Sequence, residues 1–119
     1  NSGGENIAPS RVEAEFIAQP EIAQIMVYGD GRPYLVALIV PSVELRTATE
    51  SAQKQKISDA VRRANGRLSS FERVRHFLVL KEEFTIENGM LTPTLKVKRH
   101  IVSNVYKGKL DALYRSGKK

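Results

Sequence analysis

The sequence contains no cysteine. A disulfide framework, a thiolate-bound zinc and a thiol nucleophile are thereby excluded. Histidine is scarce: His76 and His100 stand far apart in the chain, which argues against a His-based metal site, and neither has a partner at the spacing of a Ser-His or Cys-His pair. No apolar run approaches the length of about 18 residues that a membrane span needs. The N-terminus lacks the basic-then-apolar pattern of a signal peptide. There is no internal repeat and no low-complexity tract. These absences make an intracellular, metal-free chain the simplest expectation.

What remains is ordinary globular material. Hydrophobic residues make up 41% and charged residues 27% of 119 positions, as expected for one folded domain spanning residues 1–119. The net charge of +6 is unevenly placed. Residues 96–119 hold eight cations (Lys96, Lys98, Arg99, Lys107, Lys109, Arg115, Lys118, Lys119) against Asp111 alone, so the earlier part of the chain is close to neutral. Such a segment favours polyanions: nucleic acid, anionic lipid or a phosphorylated small molecule. Its confinement to one end suggests a local anion site.

The pattern along the chain predicts a small α+β domain, with a short, mainly antiparallel sheet (a β-hairpin plus a third strand) flanked by about three helices. Asn1 to Asn6 reads as turn material, as in a chain cut inside a loop of something larger. Pro9 and Ser10 open a helix, with Ser10 as the expected N-cap, Glu13 completing a capping box, Val12, Phe16 and Ile17 on its apolar face, and Pro20 closing it. Residues 22–28 and 34–41 flank Gly29-Asp30-Gly31-Arg32-Pro33 as a hairpin, with the second run apolar enough to be covered on both faces. Ile57, Val61, Ala64 and Leu68 mark a second helix, with Arg62 and Arg63 turned to solvent and Ser69-Ser70 ending it. A third strand spans 74–80 with Phe77 and Val79 inward, and Asn88-Gly89 marks a turn. A last helix carries Ile101, Val105, Leu110 and Leu113 on its stripe.

Three segments could carry chemistry. Gly3-Gly4 could let a ligand approach the backbone, but no Gly-Lys-Ser/Thr follows, so it is no phosphate loop; loop punctuation is the plainer reading. Gly29-Asp30-Gly31 serves the hairpin. In Leu91-Thr92-Pro93-Thr94-Leu95-Lys96-Val97-Lys98-Arg99, Pro93 keeps Thr92 extended and delays any helix. A lysine then falls at the helix junction, where the dipole prefers anions. That misfit suits a side chain held for an external anion, and equally a solvated basic helix end.

Taken together, residues 3–9 (Gly-Gly-Glu-Asn-Ile-Ala-Pro) with Val12-Glu13, residues 29–39, and residues 84–99 (Phe-Thr-Ile-Glu-Asn-Gly-Met-Leu-Thr-Pro-Thr-Leu-Lys-Val-Lys-Arg) resemble the C-terminal domain of long-chain fatty-acid–CoA ligases. These are AMP-forming acyl-adenylating enzymes, related to acetyl-CoA synthetase and luciferase. The resemblance covers essentially the whole chain and implies a two-step reaction: fatty acid and Mg-ATP give acyl-adenylate and pyrophosphate, then CoA takes the acyl group and releases AMP. It implies a lid domain that rotates between the steps and partners the N-terminal domain of the same enzyme, with no nucleic acid involved. Lys96 matches the adenylation lysine. Gly3 and Gly4 match the loop lining the pantetheine channel of CoA. Lys98 and Arg99 would contact phosphates or help dock the lid. Many short-chain members carry glycine where Leu95 stands; leucine fits the long-chain branch, and Lys98 is the alternative lysine to test. No cofactor is expected in this domain itself; ATP, Mg2+ and CoA belong to the whole enzyme, whose ATP- and fatty-acid-binding domain is not in these residues, so the fragment is expected to be inactive. The expected location is cytoplasmic, including peripheral attachment at the inner face of a membrane. The rival is a stand-alone basic module for nucleic acid or anionic membrane; against it, Tyr106 and Tyr114 alone make a poor base-stacking platform.

Overall fold

The computed structural model describes residues 7–116; Gly3 and Gly4, with the rest of the glycine-rich start, lie outside the described residues. The first helix, α1, runs Pro9–Ile17. Pro9 occupies its first turn, where a missing N–H costs nothing and φ is already helical. The N-cap is Ala8, without a side-chain hydrogen bond, so Ser10 lies inside the helix and the expected Ser10–Glu13 capping box does not form. Val12 and Phe16 are buried, whereas Ile17 is largely exposed.

The hairpin forms as expected. Strands β1 (Ile22–Tyr28) and β2 (Leu35–Pro41) pair antiparallel, with Ile25 opposite Ile39 and Val27 opposite Ala37. The Arg32 N–H closes the turn on the Gly29 carbonyl at 2.9 Å. Gly31 takes φ +74°, a conformation glycine adopts freely. At Gly29 a Cβ would sit 2.5 Å from the end of the Leu35 side chain, which would have to shift to admit it.

Helix α2 (Glu50–Asn65) starts where the Thr49 hydroxyl accepts from Ala52 N at 3.0 Å. Ile57, Ala60, Val61 and Ala64 line its buried face, with Arg62 and Arg63 outward. The helix stops earlier than the apolar spacing suggested. Leu68 is buried from the following turn, and Ser69 and Glu72 form a capping box on a short 3-10 turn. Strand β3 (Val74–Val79) then joins β2 in parallel, giving the order β1-β2-β3. A strand reached through a crossover helix can return in the same direction, which a tight hairpin forbids. The sheet is therefore mixed: one antiparallel and one parallel pair.

Both faces of the sheet are covered, and every residue of β2 is buried. Val12, Phe16, Ile57 and Val61 pack beneath Ile25, Ala37 and Ile39. Phe84, Met90, Leu91, Val102, Leu110 and Tyr114 pack above Met26, Val36 and Leu38. The C-terminal helix comes in two pieces, α3 (Arg99–Val105) and α4 (Lys107–Ser116), separated at Tyr106. The expected stripe is out of phase in the first piece. Ile101 and Val105 are 41% and 60% exposed, while Val102 faces the core.

Candidate functional site

Phe84 anchors the segment that matters most. The side-chain amide of Gln24 in β1 donates to its carbonyl at 2.9 Å and accepts from its N–H at 2.8 Å, copying a strand partner. The next turn is organised by Asn88, whose Oδ1 accepts from Thr85 N and Met90 N while its Nδ2 donates to the Glu83 carbonyl. Gly89 supplies φ +81°, so Asn88-Gly89 is the turn its sequence suggested.

From Met90 the chain rises and returns as a narrow ribbon. Leu91 bridges Val97, Thr92 N donates to the Lys96 carbonyl at 2.8 Å, and Lys98 N donates to the Met90 carbonyl at 2.8 Å. Pro93, Thr94 and Leu95 form the exposed tip. Leu95 N donates back to the Thr92 carbonyl, and Leu95 itself lies at φ +68°. This is the three-residue hairpin loop, a turn followed by one left-handed residue, that ordinarily takes glycine at its last position. Leu95 occupies it at a cost of about 1–2 kcal/mol and is 65% exposed. Glycine is the residue that the backbone at this position would prefer.

Lys96 follows at once. Its N–H donates to the Thr92 hydroxyl at 3.0 Å, and the Thr92 and Thr94 hydroxyls lie 3.1 Å apart. Val97 packs against the upper core, so by alternation Lys96 and Lys98 share the outer face. Both are exposed, and neither forms an ion pair among the described residues. Helix α3 begins only at Arg99 with Lys98 as its N-cap, so the lysine at the helix junction is Lys98, and Lys96 sits on the ribbon. Arg99 points elsewhere. It donates to both carboxylate oxygens of Glu13, at 2.6 and 2.5 Å, tying α3 to α1.

A second polar cluster holds α4 on the hairpin. Arg32 donates to Asp111 at 2.5 Å and lies over the Tyr114 ring, 4.4 Å from its centroid. The Tyr114 hydroxyl donates to the carbonyls of Tyr34 and Tyr28 at 2.8 and 3.1 Å. Arg32 holds the Asp111 carboxyl below the ordinary carboxylate range, chiefly through its hydrogen bond, and burial pushes the Tyr114 hydroxyl above the ordinary tyrosine range. The sequence reading did not single out Gln24 or the Arg32–Asp111–Tyr114 cluster. A polar residue within an apolar strand was the available signal for Gln24. No group of three or more His, Asp and Glu side chains that could hold a metal ion occurs among the described residues.

Residues 1–118 match the family described as AMP-binding enzyme C-terminal domain. The chain belongs to this family. Among curated proteins, it is 34% identical to the long-chain-fatty-acid–CoA ligase FadD15 of Mycobacterium tuberculosis, over 95% of this chain and 22% of that protein. It is 31% identical to human long-chain-fatty-acid–CoA ligase 1, over 93% of this chain and 18% of that protein. Among solved structures, the A-PCP didomain of carboxylic acid reductase from Segniliparus rugosus, in complex with AMP, superposes with a TM-score of 0.84 at 37% identity. That match covers 97% of this chain and 17% of the reductase chain. The chain thus spans about a fifth of the length of the relatives it matches. The AMP-binding enzyme C-terminal domain covers residues 1–118, and Arg99 and Lys107 of the basic segment are engaged by Glu13 and Asp111. Nothing supports the rival basic module. No helix among the described residues is long and apolar enough to cross a membrane.

Proposed function

We propose that this chain is the mobile C-terminal domain of a longer enzyme that activates a long-chain fatty acid with ATP and transfers it to CoA. In the first step a carboxylate oxygen attacks the α-phosphorus of ATP and pyrophosphate leaves. Two anions must meet, and negative charge builds on the phosphoryl oxygens. A preorganised cation at that point lowers the barrier. Lys96 is the residue we assign to it, with Lys98 beside it to attract phosphates and Arg99 holding the ribbon's base through Glu13. In the second step the thiol of CoA attacks the acyl carbon, its proton passes to solvent and AMP leaves; the domain turns to present Gly3 and Gly4 along the pantetheine path. ATP brings Mg2+ as part of the substrate, held by residues outside this domain. The partner is the N-terminal domain of the same enzyme, and the enzyme works in the cytoplasm or peripherally at the membrane's inner face.

The observation that carries this reading is the ribbon: an ammonium with no carboxylate partner among the described residues stands on an exposed, hydrogen-bonded arm rooted in the core. A second reading shares the first step and differs in the acceptor. The reductase is similar to this chain at 37% identity, slightly above the ligases, so the acyl group would pass to an attached domain in place of CoA. The test is to supply the longer enzyme with oleate, ATP and CoA. Oleoyl-CoA and AMP are expected, and none from the 119-residue fragment. Pyrophosphate release without acyl-CoA favours the second reading; no pyrophosphate release refutes both.

A further inference from the structure

The two edges of the sheet are treated differently. On the β1 side, Glu13 accepts from the outward N–H of Val27 at 2.8 Å, and Gln24 pairs with Phe84. On the β3 side, only the first residue is covered in this way. The Asn65 side chain accepts from Val74 N and donates to the Val74 carbonyl, both at 2.9 Å. The pairing with β2 slips by one residue between Val74 and His76, and Leu80 N donates to the Ile39 carbonyl, so from His76 onward alternation turns the backbone groups of His76 and Leu78 toward β2. Those of Phe77 and Val79 then face outward, and no other element among the described residues supplies them a backbone partner.

This open edge is flanked by clefts of about 540 and 380 Å³ that lie between it and α2 and meet at Phe77. Arg62, Arg73 and Arg75 line the first, and Lys54, Lys81 and Glu50 the second. Arg62 is paired with Asp59, and Lys81 with Glu50. The other three cations have no carboxylate among the described residues. Arg73 gives its Nε to the carbonyls of Asn65 and Leu68, Arg75 lies 5.7 Å from the Tyr34 ring centroid, and Lys54 has no ion pair.

We propose that the β3 edge receives an extended acidic segment of a partner protein as a fourth strand, with backbone pairing at Phe77 and Val79 and carboxylates against Arg73, Arg75 and Lys54. Strand addition supplies affinity through main-chain bonds, and the flanking side chains supply selectivity. A second copy of this chain is a poor occupant, because pairing β3 with β3 sets the cations of the two edges against each other. Nucleic acid would use the cations but leave the outward N–H and carbonyl groups unanswered. The surface lies on β3 and α2, away from the Lys96 ribbon, and the inference does not depend on the proposed reaction.

The test uses the 15N-labelled chain and three probes: an eight-residue peptide alternating Val with Glu and Asp, the same peptide with Lys for each acid, and a thymidine octamer. The acidic peptide should shift the amide signals of Phe77 and Val79. At ten times its Kd it should slow their hydrogen exchange about tenfold, as simple mass action requires. Arg75→Glu combined with Lys54→Glu, at two exposed positions, should transfer that response to the lysine peptide while leaving the remaining spectrum intact. The inference is overturned if the acidic peptide perturbs another face, if the octamer is preferred at these amides, or if nothing binds at millimolar concentration. In that last case the cations serve only to keep an edge strand from pairing.

Discussion

Arg99 and Glu13, 86 positions apart in sequence, meet in a two-pronged ion pair while Glu13 also accepts from Val27 N. One carboxylate thereby joins α1, β1 and α3. The Glu13 side chain is only 12% exposed and that of Arg99 37%. Arg99 keeps part of its hydration when its partner is removed, while Val27 N loses its acceptor, so Glu13→Ala should destabilise the domain by about 1–3 kcal/mol. Arg99→Lys should recover little of an Arg99→Ala loss, because an ammonium cannot bridge both oxygens. Urea denaturation of the single variants and the double variant checks both statements; a coupling energy near zero would reject them.

Lys96→Ala in the longer enzyme should slow adenylate formation by about 100-fold or more, the scale for losing one preorganised electrostatic contact. Thioester formation from supplied acyl-adenylate should be nearly spared. Lys98→Ala, on the same face of the ribbon, should do less, and its effect should fade with added salt. Acetyl-lysine at 96 should match Lys96→Ala, since the amide carries no charge. Equal loss in both half-reactions would assign Lys96 a structural role.

Gly4→Leu should reverse that pattern. A side chain in the pantetheine path would hinder thioester formation and leave pyrophosphate release intact, so acyl-adenylate should accumulate. Unchanged CoA kinetics would remove the loop from the path.

Leu95 holds a left-handed backbone with a side chain that does not favour it. Leu95→Gly should raise the stability of the domain by up to about 1 kcal/mol, the steric relief being partly offset by the greater freedom of glycine when unfolded. Leu95→Val should lower it by more than about 1 kcal/mol, because branching at Cβ is hardest to fit at positive φ. Thermal unfolding of the three chains decides; a loss with glycine would mean that Leu95 makes a stabilising contact.

Tyr114→Phe removes the donor to two carbonyls and should cost about 1–2 kcal/mol at neutral pH. Burial raises the folded-state pKa of this hydroxyl above the unfolded value, near 10. Its contribution is therefore complete below about pH 10 and lost as pH rises through the raised value. Asp111 behaves oppositely: with its pKa lowered in the fold, it contributes above about pH 5 and loses that contribution as pH falls below about 4. Urea midpoints from pH 3 to 11 should show a shallower alkaline decline for Tyr114→Phe and a shallower acid decline for Asp111→Asn.

Local signals were legible in the sequence where the cause was local. The hairpin around Gly29 to Pro33, the apolar run that became β2, the Asn88-Gly89 turn and the buried face of α2 depend on residues a few positions apart, and they formed as expected. The family motif also marked the ribbon that carries Lys96. Tertiary structure decided what depended on distant partners. β3 joins in parallel because α2 carries the chain back across the sheet. Glu13 gives up a local cap for Arg99, since a bidentate partner and a strand N–H outweigh one helix-end N–H. α3 turns Val102 inward and leaves Ile101 and Val105 outside, because its phase follows the core above β2 and not its own apolar count. The left-handed Leu95 follows from closing a three-residue loop between Thr92 and Lys96. Periodicity determines which residues can share a face; only packing against chain dozens of positions away determines which face is buried.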